Sequence, residues 1–199
     1  MWAKPAEHAP SRRRNRRLFG VRAIRRLRRC EDGSTAIEFA FVSVPFFALL
    51  FAILETALVF WTTQVLETAV TDASRLIYTG QFQDQHAAAT PEEMRTAFRD
   101  EICARVVALI SCSTMLQVDV RRFGDFGSVT VDPLIDGEGA FSSDAFGFQA
   151  SGEREVVVVR AAIEYPVFVT LLDASRANLA NGRRLIVASA AFRNEPFGQ

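Results

Sequence analysis

Residues 34–61 read STAIEFAFVSVPFFALLFAILETALVFW, and this stretch decides the fold. It contains no charged residue from Phe39 to Leu54. A helix needs about 20 apolar residues to cross a bilayer core. Residues 37–60 meet that length if Glu38 and Glu55, which lie about 25 Å apart along a helix, are near its two ends. The stretch therefore predicts a transmembrane helix over residues 34–61.

A secretory signal or a soluble core helix fits this stretch less well. A cleaved secretory signal has a shorter apolar core followed by a small-residue cleavage site. A core helix of a soluble domain is apolar on one face, whereas this helix is apolar on every face. Two placements stay open for Glu55: the outer headgroup region, which we favour, or contact with a partner helix.

The residues before the span carry most of the positive charge. Residues 1–33 hold eleven Lys and Arg against three acids, which leaves +8. Residues 34–199 hold twelve Arg against twenty acids, which leaves −8. The positive-inside rule places the basic leader in the cytoplasm, either as an amphipathic helix on the membrane surface or as a disordered arm. The acidic remainder argues against binding to nucleic acid.

The residues after the span predict a second, folded part of the chain. Helical spacing of apolar residues continues to Ile77, and Gly80 is a typical helix stop, so one helix is expected over residues 34–79. Residues 80–89 are expected to form a polar linker. Thr90-Pro91-Glu92-Glu93 is typical of a helix start, and we expect that helix to end near residue 110.

The last third of the chain alternates between strand patterns and turn-forming residues. Strands are expected at residues 116–120, 155–165 and 184–192, with a long loop over 124–153 that includes a short strand at 128–131. A short helix is expected after Pro166. The prediction is an α+β fold: a leader over residues 1–33, the span over 34–61, and one domain over 62–199 whose second helix packs on a small antiparallel sheet.

The junction between leader and span carries the most specific motif. The charged leader ends at Gly33, and the apolar helix begins at Ser34 with a single carboxylate, Glu38, on its fifth residue. Pro45 follows the glutamate by seven residues. This arrangement resembles the cleavage signal of type IV pilins and pseudopilins. Together with the cysteine pair and the ending FRNEPF, it resembles more specifically the TadE-like family of the tight-adherence (Flp-type) pilus system.

That resemblance implies how the junction works. A prepilin peptidase would cut between Gly33 and Ser34, and Glu38 would pair with the N-terminal amine of a neighbouring subunit during assembly. A carboxylate in an apolar zone is costly unless it is paired, although Glu38 can also be an ordinary residue at the headgroup layer. Pro45 is expected to kink the span or loosen its first turns.

Cys103 and Cys112 are expected to form a disulfide on the extracytoplasmic side, where disulfides persist. Nine steps of straight helix would hold them about 13 Å apart, too far for a bond, so the helix must end before Cys112. A pair of buried free thiols is the alternative. Cys30 is expected in the reducing cytoplasm.

No catalytic or metal site is expected. The two histidines, His8 and His86, lie far from each other in sequence. The acidic loop at Asp132, Asp136 and Glu138 lacks the spacing of a calcium-binding loop. We expect no cofactor and no enzymatic activity.

The resemblance implies a non-enzymatic pseudopilin or minor pilin of the bacterial inner membrane, with a cytoplasmic N-terminus and a periplasmic domain. The partners it implies are the prepilin peptidase, other pseudopilins, the major pilin, and the pilus assembly platform with its ATPase. The alternative is a permanently anchored periplasmic module that senses or binds a ligand and keeps its leader.

Overall fold

The computed structural model describes residues 34–106, 112–168 and 178–197. The chain divides into two compact units, one up to Phe47 and one from Ala48 onward. The described part of the first unit is entirely helical. Predictions made for the leader, for residues 107–111 and for residues 169–177 lie outside the described residues. The domain boundaries predicted at 33/34 and 61/62 also stay predictions.

Helix α1 runs from Ser34 to Tyr78, which confirms the single long helix. It stops two residues before Gly80, whose φ of 80° is readily adopted by a residue without Cβ. The second half of α1 is amphipathic as expected, and one face is buried in the domain core. That face consists of Leu66, Ala69, Val70, Ala73 and Ile77.

The polar linker predicted for residues 80–89 is partly wrong. Residues Gln81–Gln85 form a short helix, α2. Its Phe82 is only 2% exposed and contacts Phe98 and Phe148 at centroid distances of 5.4 Å. A single apolar residue among polar neighbours has no periodicity, so the pattern concealed its place in the core.

Helix α3 spans Pro91–Cys103. It begins as predicted, because Thr90 and Glu93 form a reciprocal capping box. The hydrogen bond from the Thr90 backbone N–H also lowers the pKa of Glu93. Met94, Phe98 and Ile102 face the core, but the helix ends seven residues earlier than the expected residue 110. A short helix, α4, follows at Cys112–Met115.

Three antiparallel strands form one sheet in the order β1-β2-β3. Their bounds are Gln117–Phe123 for β1, Val156–Pro166 for β2 and Arg183–Arg193 for β3, so the three main strand predictions are confirmed. The fold is α+β, with α3 and the second half of α1 contributing to the same core as the sheet.

The long loop between β1 and β2 lacks the strand predicted at 128–131. A 3₁₀ turn at Phe126–Ser128 is followed by irregular backbone there. Asp125 caps this turn by accepting a hydrogen bond from the Ser128 N–H at 2.9 Å, so local side-chain bonding replaces sheet pairing. Later in the loop, Phe148 forms a bridge with Val120 of β1.

Candidate functional site on the long helix

The N-terminal end of α1 presents the junction motif at the start of a helix. Ser34 is the first residue of α1, and the first turn carries no acidic residue. Glu38 is exposed, one turn into the helix. Gly33 lies outside the described residues, so cleavage between Gly33 and Ser34 stays a prediction.

The described part of the first unit exposes large apolar side chains at consecutive positions. Phe41 and Val42 are 78% and 69% exposed, and Val44 is 67% exposed. Successive helix positions differ by about 100°, so these residues cover more than one face. By length and composition α1 is apolar enough to cross a membrane, and only 6% of its most apolar window is buried.

Pro45 lies inside α1, which continues on both sides of it. Proline has no backbone N–H, so the carbonyl of Phe41 loses its usual helical partner. Such a position weakens the hydrogen-bond ladder locally. The kink at Pro45 stays a proposal, and the missing hydrogen bond to the Phe41 carbonyl supports it.

Glu55 makes a contact within its own chain that the sequence did not suggest, and its placement relative to the membrane stays a prediction. Its side chain is only 4% exposed, and its Oε1 accepts a hydrogen bond from the Phe168 backbone N–H at 2.7 Å. The carboxylate therefore binds the chain just after β2. Burial and the nearby Glu55 charge raise the pKa of Tyr165, at the end of the same strand.

A groove of about 430 Å³ opens beside this contact. Its walls come from α1 and from the chain near the ends of β2 and β3, and they are a mixture of apolar and polar side chains. The lining residues are Glu55, Thr56, Val59, Phe60, Thr63, Gln64, Val167 and Arg184.

The C-terminal segment fastens the other end of α1. The Glu195 N–H donates to the Tyr78 carbonyl at 3.0 Å, and the Phe197 ring fills the space where a Cβ on Gly80 would lie. The buried Asn194 donates to Ser151 Oγ at 2.9 Å. A hydrogen bond to the Glu195 carboxylate raises the pKa of the Tyr78 phenol. The FRNEPF ending therefore holds the domain end of α1 in place.

Cys103 and Cys112 are joined in a disulfide, with their Cα atoms 5.5 Å apart. The bridge links the last residue of α3 to the first residue of α4. The early end of α3 makes it possible, because a continuous helix would separate the two cysteines.

The sheet contains a buried charge cluster that the sequence patterns did not predict. Asp119 is 1% exposed and Arg160 is 6% exposed; they face each other across β1 and β2 and join through a 2.6 Å contact. Asp119 also accepts from the Gly147 N–H at 3.1 Å, so it holds the long loop on the sheet. A charge inside the apolar run VVVVRAAI was the signal that could have revealed it.

The acidic loop and His86 have structural roles. Asp136 Oδ1 accepts hydrogen bonds from the backbone N–H groups of Glu138 and Ala140, which closes a turn. His86 stacks on Phe82 at 4.3 Å, and its Nδ1 is 3.0 Å from the Phe82 carbonyl. Within the described ranges, no group of three or more His, Cys, Asp or Glu residues could hold a metal ion.

These features define a class of protein: an α+β domain carried on an apolar helix that is compatible with a single-pass membrane anchor. The model of the TadE-like protein family matches residues 33–75, which confirms the resemblance for the junction, the apolar stretch and most of α1. No curated protein matches the chain, and no solved structure matches it. The family is associated with the tight-adherence pilus and is structural rather than catalytic, and the match suggests a minor-pilin-like protein.

Proposed function

We propose that the chain is a TadE-like pseudopilin or minor pilin that takes part in assembling a tight-adherence pilus at the bacterial inner membrane. The observation that carries the proposal is the family match over residues 33–75. This segment starts at the candidate cleavage glycine and contains the whole apolar half of α1. The protein would act by helix packing, without catalysis.

The charge distribution supports the proposed orientation. The +8 leader would remain in the cytoplasm, because basic segments are retained on that side. The domain would then lie in the periplasm, which is the oxidising compartment where the Cys103–Cys112 disulfide can persist.

Processing would prepare α1 for assembly. Cleavage after Gly33 by a prepilin peptidase would remove the leader and leave a free amine on Ser34. The exposed Glu38 would then bind the amine of a neighbouring subunit, since an ion pair offsets the cost of a carboxylate in an apolar environment. Other pseudopilins, the major pilin and the assembly platform would be the partners.

The first experiment measures the intact mass of the membrane-extracted protein from cells with and without an active prepilin peptidase. A chain that begins at Ser34 only when the peptidase is active is the expected result. The variant Gly33→Leu should keep its leader, whereas the matched control Gly20→Leu, at another glycine of the leader, should be cut normally. A leader retained in all strains would contradict the proposal and favour a permanently anchored periplasmic module.

The second experiment tests the role of Glu38. Glu38→Gln should be cleaved and inserted normally but should reduce piliation strongly, because the amide keeps the shape and loses the charge. Glu67→Gln is the matched control, as Glu67 is an exposed glutamate on the domain half of the same helix. Equal piliation in the two variants would refute the ion-pair step.

A further inference from the structure

The end of the sheet beside Glu55 forms a surface that the proposed function does not use. We name it the aromatic–basic rim. It consists of Phe60 on α1, Tyr165 and Phe168 at and after the end of β2, and Arg183 and Arg184 at the start of β3. Strand pairing brings Tyr165 opposite Arg184 and Pro166 opposite Arg183, so the rim is fixed by the sheet.

Apolar rings on the rim are unusually open to the surroundings. Phe168 is 72% exposed and Phe60 is 66% exposed. The Phe168 ring meets the Tyr165 ring edge-on, at a centroid distance of 6.2 Å. Moving such rings from water into a less polar environment is favourable. Exposed rings of this size beside an apolar helix indicate an interaction surface.

The hydrogen bond to Glu55 fixes where this surface lies along α1. Because the Phe168 N–H is 2.7 Å from the Glu55 carboxylate, the Phe168 backbone is level with the α1 turn that carries Glu55. A bilayer core takes up about 20 residues of helix. About 20 residues counted from Ser34–Ile37 end at roughly positions 53 to 56, so Phe168 is level with the outer boundary of the hydrocarbon.

The exposed residues on α1 give the same boundary independently. Among the described residues, Trp61 is the last large apolar side chain of α1 that is exposed, at 41%. Aromatic residues concentrate at the membrane–water interface, where the ring meets the headgroup layer. The boundary therefore falls between Glu55 and Trp61, which is the segment of α1 that the rim adjoins.

The chemistry of the rim fits a phospholipid surface. Phe168 and Tyr165 supply rings for the acyl–headgroup boundary, and the two arginines supply cations for lipid phosphates. Arg183 is 51% exposed, with a long 3.6 Å contact to Glu164, so its guanidinium can also reach a phosphate. The adjacent groove lies between the apolar side chains of Phe60 and Val167.

We propose that the aromatic–basic rim binds the outer membrane–water interface beside α1, with Phe168 inserted among the lipids. The domain is then held against the membrane at two places, the helix and the rim, and its orientation is restricted. This inference rests on the anchoring role of α1 in the proposed function. The occupant of the rim is lipid, and a second protein copy is the competing occupant.

The test uses single tryptophans in the full chain, reconstituted in phosphatidylcholine–phosphatidylglycerol vesicles with brominated acyl chains, which quench tryptophan on contact. The background replaces the two natural tryptophans, Trp2→Phe and Trp61→Phe. Phe168→Trp reports on the rim and Phe51→Trp on the span. Phe126→Trp is the matched control, because Phe126 is also exposed, at 57%.

The control lies far from the rim. Phe126 follows β1 by three residues, where Phe123 pairs with Val156 at the opposite end of β2 from Pro166. The ten steps from Val156 to Pro166 separate the two ends by about 33 Å, so the control should lie well outside the bilayer. All three tryptophans replace exposed phenylalanines and leave the core unchanged.

We expect Phe168→Trp to lose a fraction of its fluorescence comparable with that of Phe51→Trp, while Phe126→Trp keeps its fluorescence. Quenching of Phe51→Trp without quenching of Phe168→Trp would overturn the rim proposal and leave the anchor intact. A blue-shifted, unquenched Phe168→Trp would assign the rim to a second protein copy and would also overturn it. The absence of quenching at Phe51→Trp would refute the membrane anchor itself.

Discussion

Replacing Asp119 by alanine should destabilise the domain by about 3–5 kcal/mol, the usual cost of removing one partner of a buried ion pair. Asp119 is almost fully buried, and Arg160 binds it through Nη2 at 2.6 Å and Nε at 3.2 Å. Without the carboxylate, Arg160 keeps the Asp132 carbonyl at 2.8 Å and the Phe146 ring. Neither the carbonyl nor the ring neutralises the Arg160 charge, so most of the destabilisation should appear in the free energy of unfolding.

The assay is urea-induced unfolding of the detergent-solubilised chain, followed by far-UV circular dichroism. The matched control is Arg122→Met, on the same strand as Asp119. Arg122 forms an exposed ion pair with Glu155 at 3.5 Å, and such pairs contribute at most about 1 kcal/mol. The long loop of the Asp119 variant should also become more sensitive to protease, because the Gly147 N–H loses its acceptor.

The double variant Asp119→Ala/Arg160→Met separates charge from packing. Removing both charges should make the domain more stable than Asp119→Ala alone, since the buried Arg160 guanidinium is gone and only the partly exposed Arg121 loses its contact with Asp119. If Asp119→Ala costs no more than Arg122→Met, the buried pair does not stabilise the sheet. If the double variant is less stable than Asp119→Ala, then Arg160 stabilises the fold by packing and its charge carries no penalty.

Three further changes test the disulfide, the glycine that follows α1 and the start of α3. Mutating Cys103 and Cys112 to serine should cost about 2–3 kcal/mol, from the lost restriction of the unfolded chain; equal urea midpoints for the wild type and the double-serine variant would contradict this. Gly80→Ala should cost at least about 1–2 kcal/mol, because an L residue is strained at φ 80° and its Cβ would overlap a ring of the C-terminal segment; Gly124→Ala, with open space around it, is the control and should change the midpoint little. Thr90→Ala should cost about 1 kcal/mol through the lost cap, and an unchanged thermal midpoint would argue against that.

The parts of the fold that could be predicted depend on neighbouring residues in sequence. The start of α3 was predictable because Thr90, Pro91 and Glu93 act within one turn. The long helix α1 was predictable because apolar residues recur at helical spacing along its length. They continue from the uncharged stretch into the amphipathic half that packs on the domain. Strand β2 was predictable because eight consecutive residues, from Val156 to Ile163, are buried, and all of them except Arg160 are apolar.

The parts that were missed depend on contacts between distant residues. Phe82 enters the core by contacting Phe148, 66 positions away, and a single aromatic residue has no period to reveal this. Asp119 follows the alternation of a half-buried strand, so its pattern predicted exposure. The long loop covers that face instead, and an irregular loop has no pattern from which its position could be read.

The two glutamates that flank the uncharged stretch, Glu38 and Glu55, show the same limit of sequence-based prediction. In the structure they have different surroundings. In the charge pattern alone, Glu38 and Glu55 look alike, since each is a carboxylate at one end of an uncharged run; only the position of Glu38 five residues after Gly33 set it apart. In the structure the second carboxylate binds the backbone after β2, so its cost in an apolar environment is offset by its own domain. A change at Glu55 should therefore act through the attachment of the sheet to α1 and lower domain stability. A change at Glu38, in the exposed part of α1, should leave that stability unchanged. If the urea midpoint of the Glu38 variant equals that of the wild type, a loss of assembly reports on contacts with another subunit.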